Sequence, residues 1–186
     1  MTELRFHGRG GQGAVIASEI LASALFKDGK YVQTFPEFGV ERRGAPVQAF
    51  LRFDDRPIRL RCKVYEPAHV IILDSVLLKT VDVTRGLRPG GWVLVNTDLA
   101  PSQLPSLSRP DGTRLATVDA TGIAIRYRLG PKTAPIVNTA ILGAFARVSE
   151  LVSLESLCAS IPEYAPVKLD ENIQATKDAY ELVSFE

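Results

Sequence analysis

The chain has 186 residues, 46% of them hydrophobic and 23% charged, with a net charge of +1. That length supports one sizeable core. The near-neutral balance gives nucleic acid no bulk electrostatic footing, and no apolar run approaches the roughly 20 residues a membrane helix needs. The start, MTELRFHG, is too polar and too short for a signal peptide, so a cytoplasmic location is expected. Cys62 and Cys158 are the only cysteines and lie far apart, short of the four thiolates an iron–sulfur cluster takes. His7 and His69 show no zinc spacing, so no metal is expected on this chain and both cysteines are read as small core residues.

In chain order, Glu3 to His7 reads as a strand that runs into glycines. Ala14 to Lys27 places Val15, Ile16, Ile20, Leu21, Ala24 and Leu25 at helical spacing, and Asp28-Gly29 ends that helix. Tyr31 to Phe35 is a second strand, which completes a βαβ unit. Pro36 to Pro46 is irregular and charged. Val47 to Phe53 alternates as a strand, and Ile58 to Val64 is expected to pair with it as a hairpin across Asp54-Asp55. Val70 to Leu73 is continuously apolar, as in a parallel strand buried on both faces. Ser75 to Gly86 is expected to be helical, Trp92 to Asn96 and Arg114 to Val118 are strands, and a short helix follows Asp119. Leu99 to Gly112, rich in Pro and Ser, reads as surface loop. Thr133 to Leu151 is a long apolar helix with Asn138 as a polar member, and Ser153 to Ser160 and Asp170 to Leu182 complete a helical C-terminus. The expected fold class is α/β: a single Rossmann-like domain over 1–186, with a mostly parallel central sheet flanked by helices and a β-hairpin insertion.

Gly8-Arg9-Gly10-Gly11-Gln12-Gly13 lies between the first strand and the first helix, and Gly8, Gly10 and Gly13 match G-x-G-x-x-G. Helix-start amides are unpaired and partly positive, so such a loop can cradle a phosphate. Glycine allows close backbone approach and positive φ. The same glycines could instead serve only tight packing. No Lys-Ser/Thr follows the last glycine, so this is not a P-loop. A dinucleotide site would need an acid at the end of the second strand, and Glu37, after a proline, is a poor match.

A second loop, Phe38-Gly39-Val40-Glu41-Arg42-Arg43-Gly44, leaves the carboxyl end of the second strand. Its adjacent arginines suit an anion or a facing carboxylate, with Glu41 able to orient one of them. A solvated turn with a weak local ion pair explains them equally well.

The two loops together resemble the gamma subunit of the 2-oxoacid:ferredoxin oxidoreductases, a family that includes pyruvate, 2-ketoisovalerate, indolepyruvate and phenylglyoxylate enzymes. Val70-Ile71-Ile72-Leu73-Asp74, Gly90-Gly91-Trp92-Val93-Leu94-Val95-Asn96, Asn138-Thr139-Ala140-Ile141-Leu142-Gly143-Ala144 and Asn172-Ile173 to Tyr180-Glu181 extend the resemblance over nearly the whole chain.

The resemblance implies a multisubunit enzyme. It decarboxylates a 2-oxoacid on thiamine diphosphate with Mg, passes electrons through [4Fe-4S] clusters, and makes an acyl-CoA. Those groups would sit on partner chains: alpha, beta and delta-type subunits, with ferredoxin or an NAD-reducing subunit as acceptor. No Gly-Asp-Gly segment for a magnesium–diphosphate bridge occurs in this chain. It is therefore expected to be an accessory subunit with no catalytic residue of its own. It would cover the site and help bind coenzyme A through Gly8, Arg9, Gly10, Gly11, Gln12, Gly13, Glu41, Arg42, Arg43 and Asn138. Asn138 could equally cap a backbone carbonyl between sheet and helix. A free-standing NAD-binding oxidoreductase and a purely structural subunit are the alternatives.

Overall fold

Among the described residues, seven strands form one sheet in the order β2-β3-β1-β4-β5-β6-β7. They are β1 (Thr2–Arg9), β2 (Tyr31–Glu37), β3 (Pro46–Asp54), β4 (His69–Ile72), β5 (Trp92–Asn96), β6 (Arg114–Val118) and β7 (Ser184–Phe185). This computed structural model describes residues 1–37, 44–104 and 107–186. The centre, β1-β4-β5-β6, is parallel; β3 joins β1 antiparallel, β2 joins β3 antiparallel, and β7 joins β6 antiparallel. β4 is enclosed by parallel neighbours and buries Val70, Ile71 and Ile72 completely, which is why its apolar residues do not alternate.

Helices α1 (Ala14–Lys27), α2 (Ala120–Arg126), α3 (Asn138–Ser149), α4 (Leu154–Tyr164) and α5 (Leu169–Leu182) lie against one face. They share a core with Leu4, Phe6, Leu51, Ile71, Leu73, Leu94 and Ala116. The opposite face of β4, β5 and β6 carries a smaller cluster, Val70, Ile72, Val93, Val95 and Leu115, covered by Leu77, Val83 and Leu87. Gly143 lets α3 and α5 touch: a Cβ there would lie 1.9 Å from the Thr176 carbonyl oxygen.

Five expectations need correction. The hairpin is formed by β2 and β3; residues 57–64 form no strand, because both edges of β3 are already taken by β1 and β2. For the same reason β2 does not pair with β1, and β3 is inserted within the βαβ unit. Ser75 to Gly86 yields only a short 3-10 helix, Ser75–Lys79, because the Arg5 side chain claims the carbonyls of Val83 and Arg85. The long helix starts at Asn138 rather than Thr133, since Pro135 pushes the residue before it out of helical conformation. Cys62, moreover, is exposed rather than a core residue, while Cys158 is half-buried.

Candidate functional site: the glycine loop and the helix starts

β1 delivers the glycine loop to the edge of the sheet where α1 begins. Gly8 lets the strand end and the helix start approach closely: a Cβ there would stand 3.1 Å from the Ala14 Cβ. The loop is tied down at three points. The Gly10 amide donates to the Ala45 carbonyl (3.0 Å), and the Gly10 carbonyl accepts from the Gly44 amide (3.4 Å). Gln12 folds back, its Oε1 accepting from the Arg9 amide (2.7 Å).

The third tie is Asp74, at the end of β4. Its Oδ2 accepts from Arg9 Nε (2.6 Å) and Gln12 Nε2 (2.8 Å), and also faces Arg9 Nη2 at 2.5 Å. Its Oδ1 accepts from the Val76 amide (2.9 Å) and so caps the following 3-10 helix. Arg9 and Gln12 thus hold the loop's shape, with the Arg9 charge balanced by a nearly buried carboxylate. The sequence places Asp74 at the end of a buried strand but does not show this role, because Arg9 and Gln12 are over sixty residues away.

Gly11 and Gly13 are different. Both have positive φ, 99° and 80°. Among the described residues their amides donate to no backbone carbonyl or side chain. Gly13 is the N-cap of α1 and offers no side-chain cap, so the first-turn amides of α1 also lack an internal partner. Asn138, first residue of α3 and buried, lies directly over Gly13: a Cβ on Gly13 would stand 2.8 Å from Asn138 Nδ2. Asn138 Oδ1 accepts from the Thr139 amide (2.8 Å), so the side chain caps an amide and not a carbonyl; Nδ2 has no acceptor among the described residues.

These groups open on a cavity of about 480 Å³, lined by Gly11, Gly13 and Asn138 at one end and by Ile16, Leu129, Ile136 and Val167 along its walls. A smaller cavity of about 230 Å³ adjoins it at Arg9, Gln12, Gly44 and Thr133. Asn172 holds the far wall: its Oδ1 accepts from Thr139 Oγ1 (2.8 Å) and its Nδ2 donates to the carbonyls of Val167 (3.1 Å) and Lys168 (3.0 Å). The structure therefore brings Gly8, Arg9, Gly10, Gly11, Gln12, Gly13 and Asn138 together. Glu41, Arg42 and Arg43 lie outside the described residues. Glu37, the acid a dinucleotide would need, is salt-bridged to Lys63. It lines a cavity with Arg5 and His7 on the face of β1 that points away from the helices.

A strand–glycine loop–helix start facing a second helix start is an arrangement that α/β folds can use to receive an anionic group. The family model for pyruvate ferredoxin/flavodoxin oxidoreductase matches residues 3–182, and the chain belongs to that family. It is similar to the pyruvate/ketoisovalerate oxidoreductases common subunit gamma of Thermococcus kodakarensis, at 55% identity over 97% of this chain and 96% of that one. The crystal structure of pyruvate oxidoreductase subunit PORC from Thermotoga maritima has a TM-score of 0.83 at 36% identity, covering 100% of this chain and 98% of that chain. The chain is accordingly an accessory gamma-type subunit of a multisubunit oxidoreductase. The same fold recurs at 18% identity and a TM-score of 0.73 in 2-oxoglutarate:ferredoxin oxidoreductase from Magnetococcus marinus, a structure with 2-oxoglutarate, coenzyme A and succinyl-CoA bound; it covers 97% of this chain and 31% of that one.

Proposed function

We propose that this gamma subunit serves a complex that oxidatively decarboxylates a 2-oxoacid to its acyl-CoA, and that its own part is to cover the active site and hold coenzyme A. Pyruvate or a branched or aryl 2-oxoacid is the substrate class. Ferredoxin, or an NAD-reducing subunit, takes the electrons, and the assembly with alpha, beta and delta-type subunits is cytoplasmic. Residues 1–186 act as one gamma-type domain.

Thiamine diphosphate, Mg and the [4Fe-4S] clusters are assigned to the partner subunits. Two cysteines, one on an exposed loop and one in α4, do not fit a cluster. Burial also pushes the Cys158 thiol up, away from thiolate character.

The observation that carries the reading is the cavity between the starts of α1 and α3. Pantetheine alternates amides with methylenes. The amides of Gly11 and Gly13 and the Nδ2 of Asn138 are donors without partners among the described residues, placed at one end of an apolar cavity of about 480 Å³. Donors fixed by the fold in this way stabilise a ligand carbonyl or phosphate at little ordering cost. The coenzyme A bound in the Magnetococcus marinus protein, which shares this fold, is consistent with that use.

The test is calorimetry of coenzyme A on the assembled complex carrying Asn138→Leu or Gly11→Val. The dissociation constant and the KM for coenzyme A should rise on the order of tenfold, with the KM for the 2-oxoacid unchanged. Unchanged coenzyme A affinity in both variants, with assembly intact, would mean that the loop only packs.

A further inference from the structure

The face of β1 turned away from the helices holds a second cavity, of about 390 Å³. Its floor is Arg5, His7, Gln48 and Phe50 from β1 and β3, and its walls include Val64 and Val81. Segment 57–66 roofs this part of the sheet and is pinned from below: Gln33 Nε2 donates to the Leu60 carbonyl (3.1 Å) and Arg52 Nη2 to the Lys63 carbonyl (2.8 Å).

Arg5 decides what such a cavity takes. Its residue is 7% exposed. Nε donates to His7 Nε2 (3.1 Å), and Nη2 donates to the carbonyls of Val83 (3.1 Å) and Arg85 (2.6 Å). Nη1 has no acceptor among the described residues, and no carboxylate among them stands within ion-pair distance of this guanidinium. Its cationic neighbours on the lining are Lys63 and Arg85; its anionic ones are Glu37, salt-bridged to Lys63, and Asp82, whose Oδ1 accepts from Thr84 Oγ1 (3.2 Å). Burial lowers the Arg5 pKa and holds that of His7 down to about 3, so His7 stays neutral and its Nε2 is free to accept from Arg5. A buried cation without an anionic partner is costly. An entering anion would relieve that cost and keep the Nη1 hydrogen bonds. Gln48 adds a half-buried amide with no side-chain partner among the described residues.

The walls narrow the ligand further. Phe50, Val64 and Val81 are apolar, and the buried Arg5 guanidinium turns one open nitrogen to the cavity, which a single carboxylate can meet. We propose that this cavity binds a small apolar monocarboxylate, its carboxylate accepting from Arg5 Nη1 and its hydrocarbon part resting on Phe50, Val64 and Val81. The size lies within the range of small-molecule pockets. The site lies on the sheet face opposite the helices and shares none of its lining residues with the glycine-loop cavities.

The test uses the full chain and phenylacetate as the probe, with phenylacetamide as the neutral control, followed by calorimetry and by the nitrogen-15 signal of the Arg5 side chain. Phenylacetate should bind once per chain and shift the Arg5 signal, and phenylacetamide should bind at least about tenfold more weakly. Arg5→Gln should abolish the preference for the acid. Gln48→Glu, at a half-buried position paired across from His7, leaves Arg5 in place and supplies an internal carboxylate; it should cost phenylacetate at least about tenfold in affinity. The proposal is overturned if the wild-type chain shows no saturable binding, or if Gln48→Glu leaves binding unchanged. It is also overturned if the Arg5 signal moves only when partner subunits are added, which would put a protein carboxylate in the cavity.

Discussion

Toward the helices β1 presents Leu4, Phe6 and Gly8; away from them it presents Glu3, Arg5, His7 and Arg9, three of these four buried. The first face is closed by amphipathic helices, and apolar contact suffices to hold it. The second is covered by segments with no regular structure, and Glu3, Arg5 and Arg9 anchor them. Glu3 pairs with Arg52, which holds the carbonyl of Lys63; Arg5 holds residues 83 and 85; Arg9 holds Asp74. Irregular chain carries unpaired backbone groups, so fixing it against a sheet needs long donors that reach carbonyls, which apolar side chains cannot supply.

The sharpest way to break this comparison is to remove one charge from the second face. Arg52 is fully buried, 2.5 Å from Glu3 Oε1 and stacked over Phe35. Glu3→Ala should cost about 3–5 kcal/mol in urea unfolding by stranding that cation, whereas the double variant Glu3→Leu/Arg52→Met should recover most of it. Recovery would show that the pair specifies the roof of the sheet more than it stabilises it.

Acid should act on the same contrast. His7 and His69 are held neutral by burial, with pKa values of about 3 and about 4 against 6.5 when unfolded. The unfolded chain therefore binds these protons first as the pH falls. Their contribution is complete above about 6.5 and is lost progressively down to about 3 and 4. At pH 5 each should lower stability by about 2 kcal/mol relative to pH 7.5, and His7→Gln should halve the slope measured by urea unfolding at the two pH values.

Asp74→Asn tests the junction between the two faces. It removes the charge that holds Arg9 and Gln12 while leaving an oxygen for the Val76 amide. A loss of about 2 kcal/mol is expected, with faster hydrogen exchange at the amides of residues 10–13 and none of the change in α5. The smallest effect belongs to Gly11→Ala. Among the described residues nothing lies within 4 Å of the added Cβ, so the positive φ of 99° is what is penalised, by about 1 kcal/mol in thermal unfolding.

The amino-acid sequence by itself determined the locally encoded parts. α1 spans Ala14–Lys27 as its apolar spacing requires, β5 spans Trp92–Asn96, β4 is the buried run after His69, and the glycine loop joins strand to helix. These follow from periodicity and turn chemistry within a few residues of chain, and the loop motifs were enough to point to the gamma subunits. Tertiary structure alone decided which strands pair. Residues 57–64 carry the composition of a strand, but β3 had no free edge left for them. It also decided the work of individual polar residues: that Asp74 sets the glycine loop, that Asn138 lies on Gly13, and that Arg5 stands buried with no carboxylate within ion-pair distance among the described residues. Each of these depends on partners brought together from distant parts of the chain, and charge in a sequence does not say whether it ends in water, in an ion pair or under a roof of backbone carbonyls.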